Sequence, residues 1–155
     1  MRIRIEIEEN LTEDEVVIRC SSLNESIIAI QKNIAEAVRG RQQIMVMKGD
    51  KEYWLLLTEI LFLETTENQV AVHSANQVFY TRLKLYELEE LLPSVFMRVS
   101  KSAIVNTEKV RSIKKNITGA SEVEFENCHK IAYVSRSYLK PFISRMEERQ
   151  LKQLK

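Results

Sequence analysis

The sequence predicts a mainly β fold, α+β overall, of antiparallel sheets with short helices, preceded by a small β-β-α unit at the N-terminus. Three observations predict it. Period-two alternation of apolar and polar residues recurs in short runs such as "RIRIEIEE", "KVRSIKK" and "SEVEFEN". Apolar spacing of three and four residues is confined to three stretches, near 21–40, 84–92 and 135–155. Gly and Pro number only 3 and 2, so the β connections must rest on Asn, Asp, Ser and Thr turns.

The elements follow in order. Arg2–Glu9 sets Ile3, Ile5 and Ile7 on one face and charges on the other, the pattern of a half-buried strand. "VVIRC" (Val16–Cys20) reads as a second strand. The helix after it is capped by Ser21 or Ser22, with Glu25 completing a capping box. Leu23, Ile27, Ile30, Ile34 and Val38 form its stripe, and Gly40 stops it. This unit, residues 1–40, is too small to be stable alone, so its apolar stripe must cover the rest of the chain or a second copy. Gln42–Lys48 is the next strand, with Gly49-Asp50 as a turn, and Glu52–Thr65 holds a strand and a short buried turn. A hairpin follows, with Val70 and Val72 on one arm, Ser74–Gln77 at the tip, and Val78 and Tyr80 on the other. Lys84–Leu92 is a short amphipathic helix ended by Pro93. "KVRSIKK" and "SEVEFEN" are strands joined around Gly119, "HKIAYVS" is another, and the tail from Ser135 is helical, interrupted by Pro141. Tyr53 and Trp54 are expected to pack, and Phe62, Leu88, Phe96, Ile104 and Val105 to be core.

The chain is 45% hydrophobic and 29% charged, suited to a soluble protein with a core. No apolar run approaches the roughly 18–20 residues of a membrane span, and the charged start is not a signal peptide. Cys20 and Cys128 lack CxxC spacing and read as free thiols of a cytoplasmic protein. The net charge of +1 hides an asymmetry. Residues 1–97 hold 10 Lys and Arg against 16 Asp and Glu, a net of −6. Residues 98–155 hold 13 against 6, a net of +7. A basic half joined to an acidic one implies a surface facing a polyanion.

Catalytic and cofactor chemistry is not indicated. No GxGxxG or GxxxxGK[ST] phosphate loop is present. His73 and His129 are the only histidines, too few for a zinc site of three or four ligands. Cys128 and His129 are neighbours that point apart in a strand, unlike a nucleophile and its base. No catalytic residue, metal or cofactor is expected.

What is present is a set of cations mixed with hydroxyls and amides. Arg98 and Lys101 sit in "FMRVSKSAIVN" beside Ser100 and Ser102. Lys114 and Lys115 follow a strand, and Ser135, Arg136 and Lys140 open the last helix. These are the side chains that bind phosphate oxygens and read base edges, and a helix start offers free N–H groups to phosphate. No helix-turn-helix pattern is seen, so DNA would be read from loops and strand ends. A β-rich protein-interaction module, its basic C-terminal half meeting an acidic partner, is the alternative. RNA is a weaker third, because aromatics are not interleaved with the cations.

"ILFLET", "LKLYELEELL", "FMRVSKSAIVN" and "VSRSYLKPF", in that order and spacing, resemble the LytTR (LytR/AlgR) DNA-binding domain of bacterial transcription regulators over about residues 44–145. That pattern runs from an apolar-apolar-Glu strand end through a hairpin and a Leu-rich helix. It then has Phe-x-Arg-x-His-x-Ser-x-x-Val-Asn, and ends on a Ser-Arg step into the last helix. The resemblance implies an elongated β-fold whose loops enter successive major grooves, bend double-stranded DNA and bind direct repeats as two copies. It implies three DNA-facing regions. These are Asn68 and Gln69 after "FLET", with Thr66 and Glu67 beside them; Lys101 with Arg98, Ser100 and Ser102; and Arg136. Arg98 is divided between a DNA contact and an anchor on backbone carbonyls, and Asn106 reads as a turn or cap. Ser100 stands where the family has His, which implies a site preference of its own.

Residues 1–40 leave no room for a receiver domain, so phosphorelay control in cis is not expected. The shape resembles stand-alone LytTR regulators, which implies a homodimer formed through residues 1–40 or on DNA. It also implies a small membrane protein that holds the regulator inactive.

Overall fold

The computed structural model describes residues 1–39 and 42–154; the helix stop read at Gly40 lies outside them. The chain divides into two units, Met1–Ala35 and Glu36–Lys155.

The first unit corrects the β-β-α expectation. Neither Arg2–Glu9 nor Val16–Cys20 is a strand: residues 1–24 carry turns and bends but no strand or helix. Alternation gives a strand two faces, but a strand exists only when a second strand takes its N–H and C=O groups. No partner strand is present for either segment among the described residues. The helix α1 spans Glu25–Arg39. Its cap is Asn24, not Ser21 or Ser22: the Asn24 Oδ1 accepts from the Ile27 N–H at 3.1 Å. Leu23 and Val38 are exposed and Ile27, Ile30 and Ile34 half-buried.

Among the described residues the second unit contains ten antiparallel strands in two sheets. β1 (Gln43–Lys48) and β2 (Lys51–Leu56) form a hairpin around Gly49-Asp50. Gly49 has φ +64 at the first loop position, which fits a type II′ turn and favours glycine. A single 3-10 turn, Leu57–Glu59, leads to β3 (Phe62–Thr65), and β4 (Val70–His73) and β5 (Val78–Thr81) make the expected hairpin. The helix α2 (Leu85–Leu91) buries Leu85 and Leu88. "FMRVSKSAIVN" is a hairpin as well: β6 (Phe96–Ser100), a turn at 101–102, and β7 (Ala103–Asn106). These seven strands form one sheet, ordered β2-β1-β5-β4-β3-β7-β6. A 3-10 turn at Thr107–Lys109 passes the chain to β8 (Val110–Lys114), β9 (Ser121–Phe125) and β10 (Ile131–Val134), which form a second sheet in the order β10-β9-β8. The helix α3 runs Arg136–Leu154, with Pro141 inside it.

Both faces of the large sheet are covered. One carries Leu63, Val72, Phe79 and Ile104 against α2 Leu88. The other carries Phe62, Val99 and Val105 against Phe125 and Val134 of the small sheet and Phe142 of α3. Phe62 stacks on Phe125 with ring centres 5.4 Å apart. Trp54 departs from the packing expectation: it is 63% exposed. From edge strand β2 it pairs with the exposed Met45 of β1, while Tyr53, its neighbour on β2, contacts Phe79.

Two polar sites join the layers. Asn106 is 3% exposed, at the end of β7. Its Nδ2 donates to the Ile60 carbonyl at 2.9 Å, and its Oδ1 accepts from the Glu108 N–H at 3.1 Å. Elsewhere the Cys128 Sγ donates to the Ala75 carbonyl and the Lys130 Nζ to the Gln77 carbonyl, so the turn before β10 is tied to the tip of the β4–β5 hairpin. His73 lies beside this tie, stacked on Phe62 at 4.2 Å, with Nε2 2.9 Å from Glu64 Oε1.

Asn106→Ala removes both hydrogen bonds of a buried amide, including the one to the carbonyl of the buried Ile60. It should lower stability by roughly 2–3 kcal/mol, read as a shift in the urea midpoint at unchanged slope. His73 is held below its ordinary pKa of 6.5, chiefly by burial and further by the Lys130 charge, against the Glu64 hydrogen bond. The unfolded chain then takes up the proton first as pH falls. The His73 contribution is complete above about pH 6.5 and is lost as pH falls toward the depressed folded value. The urea midpoint should therefore drop between pH 7.5 and 5.5, and His73→Gln should flatten that drop.

Candidate nucleic-acid interface

The β6–β7 turn is held by one side chain. Arg98 Nε donates to the Ser100 carbonyl at 2.7 Å and Nη2 to the Lys101 carbonyl at 2.5 Å. Its Nη1 meets Glu89 Oε2 at 2.9 Å, and the side chain is only 22% exposed. A planar fork suits such a triple engagement, which an ammonium cannot match in geometry. The register slips at a bulge between Arg98 and Ser100, beside the carbonyls that the guanidinium holds. Ser100 completes the turn: its Oγ accepts from the Ser102 N–H at 3.1 Å and lies 3.3 Å from the Ser102 Oγ. The peptide of Lys101 is thus fixed while its side chain remains exposed.

Main-chain bonds bring two other segments to this turn. The Thr65 N–H donates to the Ser102 carbonyl at 2.8 Å, which anchors the loop 66–69 beside it. Within that loop the Thr66 N–H and hydroxyl both donate to the Gln69 carbonyl at 2.8 Å, so Glu67, Asn68 and Gln69 are presented on a tight exposed turn. On the other side the Ser135 N–H donates to the Val99 carbonyl at 2.9 Å, and the Ser135 hydroxyl reaches the same oxygen at 3.5 Å. Ser135 thus fastens the start of α3 to β6, and the exposed Arg136 follows directly. The three predicted regions are therefore linked through Ser102 and Val99.

Lys115, Arg136 and Lys140 line a cleft of ≈ 1120 Å³ between the β8–β9 turn and α3. Ser135, Ser137 and Asn116 also line it, with Glu147 the one carboxylate of the lining. Lys114 is exposed at the end of β8, next to it. Asn116 was not anticipated. It shapes the turn, its Oδ1 accepting from the Thr118 N–H and hydroxyl, the local bonding that makes Asn a turn residue. Glu89 was also not anticipated as the partner of Arg98, because nothing in sequence marks one of the three α2 glutamates as facing β6.

Further along α3, Arg145 donates to the Ser94 carbonyl and Arg149 to the Thr107 carbonyl, which fix the helix on the sheet. These two cations hold α3 in place. Among the described residues no group of three or more His, Cys, Asp and Glu could hold a metal ion, and no helix is long and apolar enough to cross a membrane.

The description "LytTr DNA-binding domain" matches residues 50–147. The chain belongs to that family. LytTR domains of known structure share its fold: a LytTr DNA-binding domain of a Bacillus cereus protein described as a methyl-accepting/DNA response regulator superposes with a TM-score of 0.61 at 23% identity. That match covers 68% of this chain and 96% of the other. Relatives in Staphylococcus aureus strains NCTC 8325 and N315, each named an uncharacterized HTH-type transcriptional regulator, are 29% identical over 149 residues. Those matches cover 94% of this chain and 98% of the relative. The LytTR architecture here contains no helix-turn-helix among the described residues: five strands separate α1 from α2, and five more separate α2 from α3.

Arg98→Lys keeps the charge but loses the fork. It should destabilise the protein by about 1–3 kcal/mol and speed amide exchange at Ser102 and Ala103. Glu89→Gln should do less, since that carboxylate is half exposed.

Proposed function

We propose that this LytTR protein is a non-enzymatic, cytoplasmic transcription regulator that binds direct-repeat promoter DNA as two copies. The observation that carries the reading is the joining of the 66–69 loop, the Lys101 turn and the Arg136 helix start by main-chain bonds within a family whose domain binds DNA. Arg136, Lys101 and Asn68 are the proposed base readers, with Gln69 beside Asn68. Arginine pairs with guanine, Asn with adenine, and Lys with phosphate or guanine. Lys114, Lys115 and Lys140 supply phosphate contacts, which give affinity and salt dependence without sequence preference. Ser135 and Ser137 stand at the positive end of α3, where exposed N–H groups favour phosphate.

Arg98, Ser100 and Ser102 take a positioning role. Their polar groups already hold one another and the turn carbonyls, so they aim Lys101. With Ser at position 100 in place of the usual His, that turn has no imidazole to offer a base, and half-site preference shifts toward what Lys101 and its neighbours read. The inhibitory membrane partner belongs to the proposal as the source of regulation. Residues 1–40 supply the second-copy contact.

The test is selection from a random duplex pool, followed by anisotropy on the recovered sites. A direct repeat should emerge, and Arg136→Ala should weaken binding to it by 10- to 100-fold, on the order of the 1–3 kcal/mol of a good base contact, with relaxed preference at one base pair. Lys114→Ala with Lys115→Ala should weaken all sequences alike and reduce the salt slope by roughly two. If the wild-type chain prefers no duplex over random DNA at moderate salt, the regulator reading fails.

A further inference from the structure

The segment Arg2–Glu8 is neither helix nor strand, and its sequence alternates charges at even positions with isoleucines at odd ones. Arg4 Nε lies 3.1 Å from Glu6 Oε1. Ile3, Ile5 and Ile7 are 91%, 84% and 88% exposed. Three exposed β-branched apolar side chains in alternation, on a segment with no partner strand among the described residues, describe one half of a strand pair.

The charge order identifies the other half. "RIRIEIE" carries Arg at 2 and 4 and Glu at 6 and 8, symmetrically about Ile5. Let two copies run antiparallel with Ile5 opposite Ile5. Arg2 then faces Glu8, Ile3 faces Ile7 and Arg4 faces Glu6, and the two-fold axis repeats each pair. Shifting the register by one residue along each strand, so that like faces stay together, sets Arg4 on Arg4 or Glu6 on Glu6. Shifts of the other parity set isoleucine against charge. Parallel in-register pairing sets Arg on Arg and Glu on Glu. Opposite charges directly across a pair stabilise it and like charges destabilise it, so one register satisfies every position.

We infer that Arg2–Glu8 is an antiparallel self-pairing strand, which joins two copies of this chain about a two-fold axis through Ile5. The inference rests on the two-copy part of the function proposed above, and it names the surface responsible. Such an interface is isologous and closes at two. A bare two-stranded ribbon is marginal in water. The same unit holds the start of α1, whose half-buried Ile27, Ile30 and Ile34 give each copy an apolar stripe to lay over the isoleucine face.

The experiment uses the full-length chain without DNA, with mass measured by light scattering and by sedimentation across concentration. Wild type should be a dimer. Arg4→Glu sets two glutamate pairs facing each other and should weaken dimerisation on the order of tenfold or more. Glu6→Arg should do the same. The double variant Arg4→Glu, Glu6→Arg restores opposite charges across the axis and should restore the dimer.

In a Cys20→Ser, Cys128→Ser background, Ile5→Cys should form a disulfide with its own copy under mild oxidation. Ile3→Cys and Ile7→Cys should each fail alone and cross-link when mixed. A monomeric wild type overturns the inference. So does a dimer indifferent to Arg4→Glu, or an Ile3→Cys chain that cross-links to itself. Selective DNA binding that persists in a monomer sinks the strand and leaves the regulator standing; a charge-swappable dimer with no DNA preference does the reverse.

Discussion

Burial on both faces of β7 is the constraint on which the second unit depends. Ala103, Ile104, Val105 and Asn106 are all buried, because α2 and its neighbours pack on one side and the small sheet and α3 on the other. A four-residue strand serving two cores has no solvent face on which to carry a polar group. Its one amide, Asn106, must therefore be fully satisfied, and it is, by a carbonyl ahead of β3 and an N–H of the following turn. The same side chain thereby directs the chain out of the large sheet toward β8 and the second sheet.

From that buried strand the cations of the basic half divide into two kinds of work. Arg98, Arg145 and Arg149 donate to main-chain carbonyls and brace the turn and the helix. Lys101, Lys114, Lys115, Arg136 and Lys140 are exposed around the turn and the cleft. Net charge alone cannot separate these groups. Arginine carries the bracing role because its planar fork reaches several carbonyls at once.

Much of the second unit was legible in the sequence. Alternation, the Leu-rich helix and the order of motifs located most of its strands because tertiary packing and local pattern agree there. The first unit was not legible in the same way. "RIRIEIEE" has every local property of a strand, yet a strand is defined by its partner, and no strand among the described residues pairs with it. Trp54 misled for a related reason: its size suggests burial, while its place on an edge strand is a property of sheet order. The reach of Arg98 to Glu89 depended on which face of α2 meets β6, which periodicity alone leaves open. At Asn24 a better cap lay two residues beyond the serines, and the first turn formed on it.

The segments around the Lys101 turn are tied to one another by amide hydrogens and carbonyl oxygens: Thr65 to Ser102, and Ser135 to Val99. A bond of that kind is indifferent to which side chain its residue bears. The exposed residues at the tips can therefore be exchanged over evolutionary time without loosening the frame that carries them. The sequence of the tips and the architecture of the frame are thus separable.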